Sequence, residues 1–214
     1  MILALLAVLT MQPAVCPDAR TPEFTECKAQ LAIARGDHLG AAEHFLTIVD
    51  LVETPQDKAR AYAAAAPLFA IGGQVERAEE VAAAALALNA LPPLQQGWTR
   101  LDHAQALFRL GRRDEAEAEW AGAAQAIGED PYYWWTGASM ALTADRPADA
   151  RTRVDEGLRR APQSPELLLL SGQVALAVED LAAARTAFAA AAAAAPDSPP
   201  GRNAARALAA MGAQ

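Results

Sequence analysis

The chain has 214 residues, 53% of them hydrophobic and 21% charged, with a formal charge of −8. That is enough apolar material to bury a substantial core as one domain or one continuous array. The acidic balance argues against nucleic-acid binding, which rests on cations neutralising phosphates, and against electrostatic adsorption to anionic lipid. The only local basic spots are Arg112–Arg113, Arg151/Arg153 and Arg159–Arg160, which read as solvated helix surface. Abundant alanine and few β-branched residues predict an all-α chain, because alanine loses no side-chain entropy in a helix.

In chain order, the first element is an unbroken apolar run from Ile2 to Leu9, closed by Thr10, Met11, Gln12 and Pro13. It falls far short of the ~20 residues that a membrane-spanning helix needs, and it fits the apolar region of a secretory signal. Residues 1–16 are therefore expected to be an export segment, although no Lys or Arg precedes the run. Without export the chain would be cytoplasmic. Cleavage after Ala14 or after Cys16 is compatible with the sequence. The residues Pro13-Ala14-Val15 disfavour Cys16 as a lipidation site.

The cysteines are Cys16 and Cys27. In an oxidising compartment they can close a short loop that ties the N-terminus to the first helix and contributes about 2–3 kcal/mol. Alternatively, Cys16 leaves with the signal and Cys27 is a small buried apolar residue.

From Thr21 onward the sequence repeats. The small residue after each inter-helix turn recurs as Ala41, Ala78, Ala116, Ala150 and Ala184, spaced 34 to 38 residues apart. Four positions on stand Phe45, Ala82, Trp120, Val154 and Phe188. Five positions before are Gly36, Gly73, Gly111, Asp145 and Glu179, where a left-handed turn favours glycine or a short polar side chain. Twelve before are Ala29, Ala66, Ala104, Ala138 and Gly172, all small. Small residues on both helices of a pair let the backbones approach, and the large one fills the groove toward the next pair.

This pattern resembles the tetratricopeptide repeat family. Repeats of 34 residues fall at 22–55, 59–92, 97–130, 131–164 and 165–198, with Gln56–Lys58 and Pro93–Gln96 as extra residues between units. Trp134 stands where the family carries a large aromatic, and Pro162 and Pro196 match its closing proline. The resemblance implies a right-handed superhelical solenoid of about five helix pairs over residues 17–198. A capping helix is expected at 199–214, with Ala205, Leu208, Ala209 and Met211 inward and Arg202 and Arg206 outward. Pro67 should kink the first helix of the second repeat.

Chemistry is sparse. His38, His44 and His103 match no metal spacing, and no phosphate loop, nucleophile elbow or dinucleotide fingerprint is present. Adjacent carboxylates such as Glu79–Glu80 and Asp155–Glu156 diverge around a helix axis. The expectation is a non-enzymatic protein without cofactor or metal.

What remains is surface recognition. The resemblance implies that the first helix of each pair lines a concave groove. On this chain it contributes Trp98, Leu101, Gln105, Phe108 and Arg109, then Tyr132, Trp135, Ser139, Leu142 and Thr143, then Glu166, Leu169, Gln173, Leu176 and Ala177. Trp98, Leu101, Gln105, Arg109, Tyr132, Trp135, Ser139, Leu169 and Gln173 are the candidate partner-binding residues. Large aromatics bury much area at little rotamer cost and are over-represented at binding hot spots. Tyr133, Trp134 and Trp120 are expected in the core. Trp135 can belong to core or groove, and its solvent exposure decides.

The fifth groove positions, Glu26, Ala63, Leu101, Trp135 and Leu169, hold no lysine, which argues against a carboxylate clamp. A protein or peptide with apolar anchors is the expected partner. The role expected is a monomeric adaptor of the bacterial periplasm or cell envelope, with no membrane span in the mature chain. The alternative is a structural subunit docked in an envelope assembly through an edge or convex surface.

Overall fold

The computed structural model describes Cys16 and residues 21–212. Apart from Cys16, the export segment expected at 1–16 lies outside the described residues. Eleven helices and no strand occur among the described residues. They form two compact units, the first ending at Ala90 and the second starting at Leu91.

The first unit contains α1 (Pro22–Ala34), α2 (His38–Leu51), α3 (Pro55–Ile71) and α4 (Val75–Ala87). The second contains α5 (Pro93–Arg109), α6 (Arg113–Ile127), α7 (Pro131–Thr143), α8 (Pro147–Arg160), α9 (Pro165–Ala177), α10 (Leu181–Ala194) and α11 (Pro199–Gly212). In the second unit each helix packs on its pair mate, the first helices α5, α7 and α9 adjoin in succession, and α11 lies against α9 and α10.

Local chemistry sets the boundaries. Seven helices carry a proline in the first turn, where its missing N–H costs nothing. Side chains of Thr21, Asp37, Thr54, Asp130, Ser164, Asp180 and Ser198 accept hydrogen bonds from otherwise orphaned backbone N–H groups of the helices that follow.

The turn within each pair is built the same way five times. Gly36, Gly73, Gly111, Asp145 and Glu179 all have positive φ, at 76°, 81°, 80°, 59° and 60°. The N–H of the next residue bonds back to Ala32, Phe69, Leu107, Ala141 and Ala175 respectively, at 2.9 Å in every case. This is the six-to-one bond of a Schellman closure. All five positions singled out from the repeat are thus left-handed; among the described residues Asn89, at the end of α4, is the sixth, with a φ of 47°.

The aligned small residues meet at the centre of each pair. Ala29/Ala41, Ala66/Ala78, Ala104/Ala116, Ala138/Ala150 and Gly172/Ala184 are all buried. At Gly172 the space is filled by the Phe188 ring, which a Cβ there would overlap.

Several details differ from expectation. Gln56–Lys58 and Pro93–Gln96, expected as extra residues between repeats, lie in the first turns of α3 and α5, which reach 17 residues each. On α11 the inward residues are Gly201, Ala204, Leu208 and Met211, whereas Ala205 and Ala209 are exposed. The spacing of three, four and three places the first group on one face of the helix, with Gly201 against the Ala195 carbonyl fixing its rotation.

Two of the arginines read as solvated surface are structural. Arg153 lies over the Trp120 ring at 4.0 Å, donates to the Gly137 carbonyl at 2.7 Å and pairs with Glu117 at 2.6 Å. Arg160 lies over Trp134 at 4.8 Å and pairs with Glu156 at 2.9 Å. Burial pushes the Glu117 carboxyl upward, but hydrogen bonds from Arg153 and Arg146 outweigh it and hold the group below the ordinary carboxylate range.

Candidate functional site

The four consecutive aromatics of α7 divide between two faces, as a helix requires. Tyr133 is fully buried with Leu101, Ala123 and Ile127, and Trp120 and Trp134 pack against that cluster. Trp120 stacks on Tyr133 at 4.8 Å, and Trp134 meets both edge-on. The indole N–H groups are satisfied by carbonyls: Trp120 donates to Tyr133 at 3.1 Å and Trp134 to Gly128 at 2.7 Å. Burial pushes the Tyr133 phenol up to about 12.

Tyr132 and Trp135 belong to the other face. Tyr132 is 44% exposed, and Trp98 and Trp135 are partly exposed. Their rings form a row: Trp98 to Tyr132 at 6.3 Å, tilted by 37°, and Tyr132 to Trp135 at 5.5 Å, within 17° of parallel. The row joins α5 to α7 because residues three apart on α7 share a face.

Trp135 separates two clefts. One, of about 190 Å³, is lined by Phe108, Trp135 and Met140 with Gln105, Arg109, Ser139, Thr136 and Thr143. It is a largely apolar hollow with polar groups around it. Thr136 is buried there, and its hydroxyl has no hydrogen-bond partner. The other, of about 510 Å³, is lined by Asp130, Pro131, Tyr132, Trp135, Ser164 and Glu166. It opens where the N-termini of α7 and α9 adjoin, and its two charged groups are both carboxylates.

Of the candidate residues, Trp98, Tyr132 and Trp135 come together in the ring row, and Gln105, Arg109 and Ser139 join Trp135 around the smaller cleft. Three do not take part. Leu101 is fully buried, on the seam where α5 meets α6 and Tyr133 of α7, so it is core rather than groove. Leu169 packs toward the Phe188 cluster between α9, α10 and α11. Gln173 is exposed but lines neither cleft.

Met140, Thr136, Asp130 and Ser164 belong to the site without having been expected there. Asp130 and Ser164 are legible in sequence only as helix caps. That role places them beside the groove, since each cap stands two residues before the first groove position of its helix, Tyr132 or Glu166. Among the described residues no group of three or more His, Cys, Asp or Glu side chains is arranged to hold a metal. None of the described helices is long and apolar enough to cross a membrane.

No protein-family model matches the chain. No curated protein matches it by sequence either. Solved structures do match. PilW, described as a widely conserved type IV pilus biogenesis factor, superposes with a TM-score of 0.74 at 19% identity, covering 87% of this chain and 83% of PilW. YrrB, described as a TPR protein with an unusual peptide-binding site, gives 0.62 at 14% identity, covering 87% and 93%. MamA from Desulfovibrio magneticus RS-1 gives 0.69 at 12% identity, covering 86% and 99%. With the repeated turns, the small-residue register and the paired helices already in place, these matches fix the architecture: the chain has the fold of a tetratricopeptide-repeat solenoid.

Proposed function

We propose that the protein is a non-catalytic adaptor that holds an extended or helical segment of a partner protein on the face formed by α5, α7 and α9. The observation that carries this reading is the partly exposed Trp98–Tyr132–Trp135 row with a cleft on either side of Trp135. Rigid aromatics next to hollows of side-chain size are what a partner's anchoring residues need. The peptide-binding site named for YrrB supports the same use of the fold.

We place the adaptor in the bacterial cell envelope, as a monomer. Three things support export: the apolar run at Ile2–Leu9, the Cys16–Cys27 disulfide, and the likeness to PilW, a pilus biogenesis factor. Disulfides persist in oxidising compartments, and this one requires that Cys16 stay in the mature chain.

One observation favours the second reading, a subunit docked permanently through an edge. Leu176, Val178 and Leu181, at the α9–α10 turn, are 39%, 49% and 56% exposed, an apolar patch of the kind that marks contact surfaces.

A photocrosslinking residue placed in the native cell at Ser139, at Leu181 or at Arg151 separates the readings, with mass spectrometry identifying what is captured. The adaptor reading expects a discrete partner crosslinked from position 139 and not from 151 or 181. Capture from 181 alone overturns it in favour of the docked subunit.

A further inference from the structure

Resting on the peptide-binding reading, we propose that the cleft between the N-termini of α7 and α9 seats the side chain of an arginine from the partner segment. This chain seats two of its own arginines in a shared way. Arg153 lies over Trp120 at 4.0 Å while pairing with Glu117 at 2.6 Å. Arg160 lies over Trp134 at 4.8 Å while pairing with Glu156 at 2.9 Å. Each seat is an indole face with a carboxylate beside it, which suits a planar cation that stacks and donates in a fork.

The cleft repeats those parts. Tyr132 and Trp135 line it with rings stacked on each other at 5.5 Å, leaving the outer face and edges of the pair to the cleft, and Asp130 and Glu166 supply two carboxylates.

The carboxylates keep acceptor capacity. Asp130 accepts from the Tyr132 N–H through Oδ1 at 2.8 Å, and Glu166 accepts from the Ser164 hydroxyl through Oε2 at 3.1 Å. Each therefore has a second oxygen to offer a guanidinium. The caps at Asp130 and Ser164 already satisfy the first N–H groups of α7 and α9, so those helix ends do not call for an anion. The chain's formal charge of −8 steers in the same direction, toward a basic segment. Because Trp135 also walls the apolar cleft of Phe108 and Met140, the segment should carry an apolar anchor close to its arginine.

The test is selection of a random peptide library on the immobilised full chain. The best binder is then resynthesised with its arginine replaced by citrulline, which is isosteric and uncharged. Both peptides are titrated against the wild type, the D130N/E166Q double variant and Trp135→Ala. Asparagine is as good a helix cap as aspartate, so the double variant keeps the fold.

The proposal expects an arginine in the selected peptides. It expects a roughly tenfold weaker Kd on citrulline substitution in the wild type, and little effect of that substitution in the double variant. Selected peptides that bind Trp135 without a cation overturn the arginine seat and leave the peptide-binding reading standing. So does a citrulline effect that is the same in both proteins, or a self-association of the chain that the double variant abolishes. Failure to select any peptide, or selected peptides indifferent to Trp135→Ala, overturns both.

Discussion

The turn at Glu179 offers a direct test of how the repeats are closed. Its φ of 60° lies in the left-handed region, where the first three pairs use Gly36, Gly73 and Gly111. A side chain there costs roughly 1–2 kcal/mol, while glycine loses roughly 0.5–1 kcal/mol more backbone entropy on folding. Glu179→Gly should therefore stabilise the fold by about 0.5–1 kcal/mol. The backbone bonds that define the turn, from Asp180 N–H to Ala175 and from Glu179 N–H to Leu176, survive the change. The assay is urea unfolding followed by far-UV circular dichroism, with Glu179→Ala as control, since alanine removes the carboxylate but keeps the strained Cβ. Glu179→Gly should raise the midpoint and Glu179→Ala should not. Equal gains in both would assign the effect to charge beside Asp180, and a loss in the glycine variant would refute the strain argument outright.

Two other outcomes follow from the structure. Burial pushes the Asp102 carboxyl from 3.8 up to about 7. The native state therefore binds a proton that the unfolded chain has released, and stability contributed by the neutral acid is lost as pH rises through that window. Asp102→Asn should flatten the fall in stability between pH 4 and pH 8, and identical pH profiles for variant and wild type would contradict it. Breaking the Cys16–Cys27 link with Cys27→Ser should cost about 2–3 kcal/mol by the loop-entropy model. Amide exchange should then accelerate in α1 and stay unchanged in α7 to α10; unchanged protection in α1 would show that the link does not hold that helix.

The fold was legible because its determinants are local and repeated. A turn needing positive φ, a small residue at each crossing and a proline opening many helices each leave a one-residue mark, five or more times over. The rotation of α11 was not legible. An alanine-rich helix offers nearly equal faces, and the deciding contact is Gly201 against a backbone carbonyl.

The candidate site was half legible for a related reason. Spacing separated Tyr132 and Trp135 from Tyr133 and Trp134, since that depends on one helix alone. Leu101 was misplaced because it shares a stripe with Trp98 and Gln105, and it is Ala123 and Ile127 of α6 together with Tyr133 from the next pair that enclose it. Arg153 looked solvated for the same reason, because the ring and the acid that hold it lie a whole repeat away.

That spacing has a consequence for how the molecule forms and yields. The ion pairs Arg77–Glu43 and Arg153–Glu117 span 34 and 36 residues, about one repeat. Interactions of this reach close small loops, so the chain can gain structure piecewise at little entropic cost, and folding should be rapid for its length. The same property makes the ends the weak points, because an end pair has a neighbour on one side only. Cys16–Cys27 pins the first helix, and α11, tied to α10 by the Arg185 hydrogen bond to the Met211 carbonyl, shields the last pair. Both devices act as brakes on fraying, which would otherwise run inward one repeat at a time.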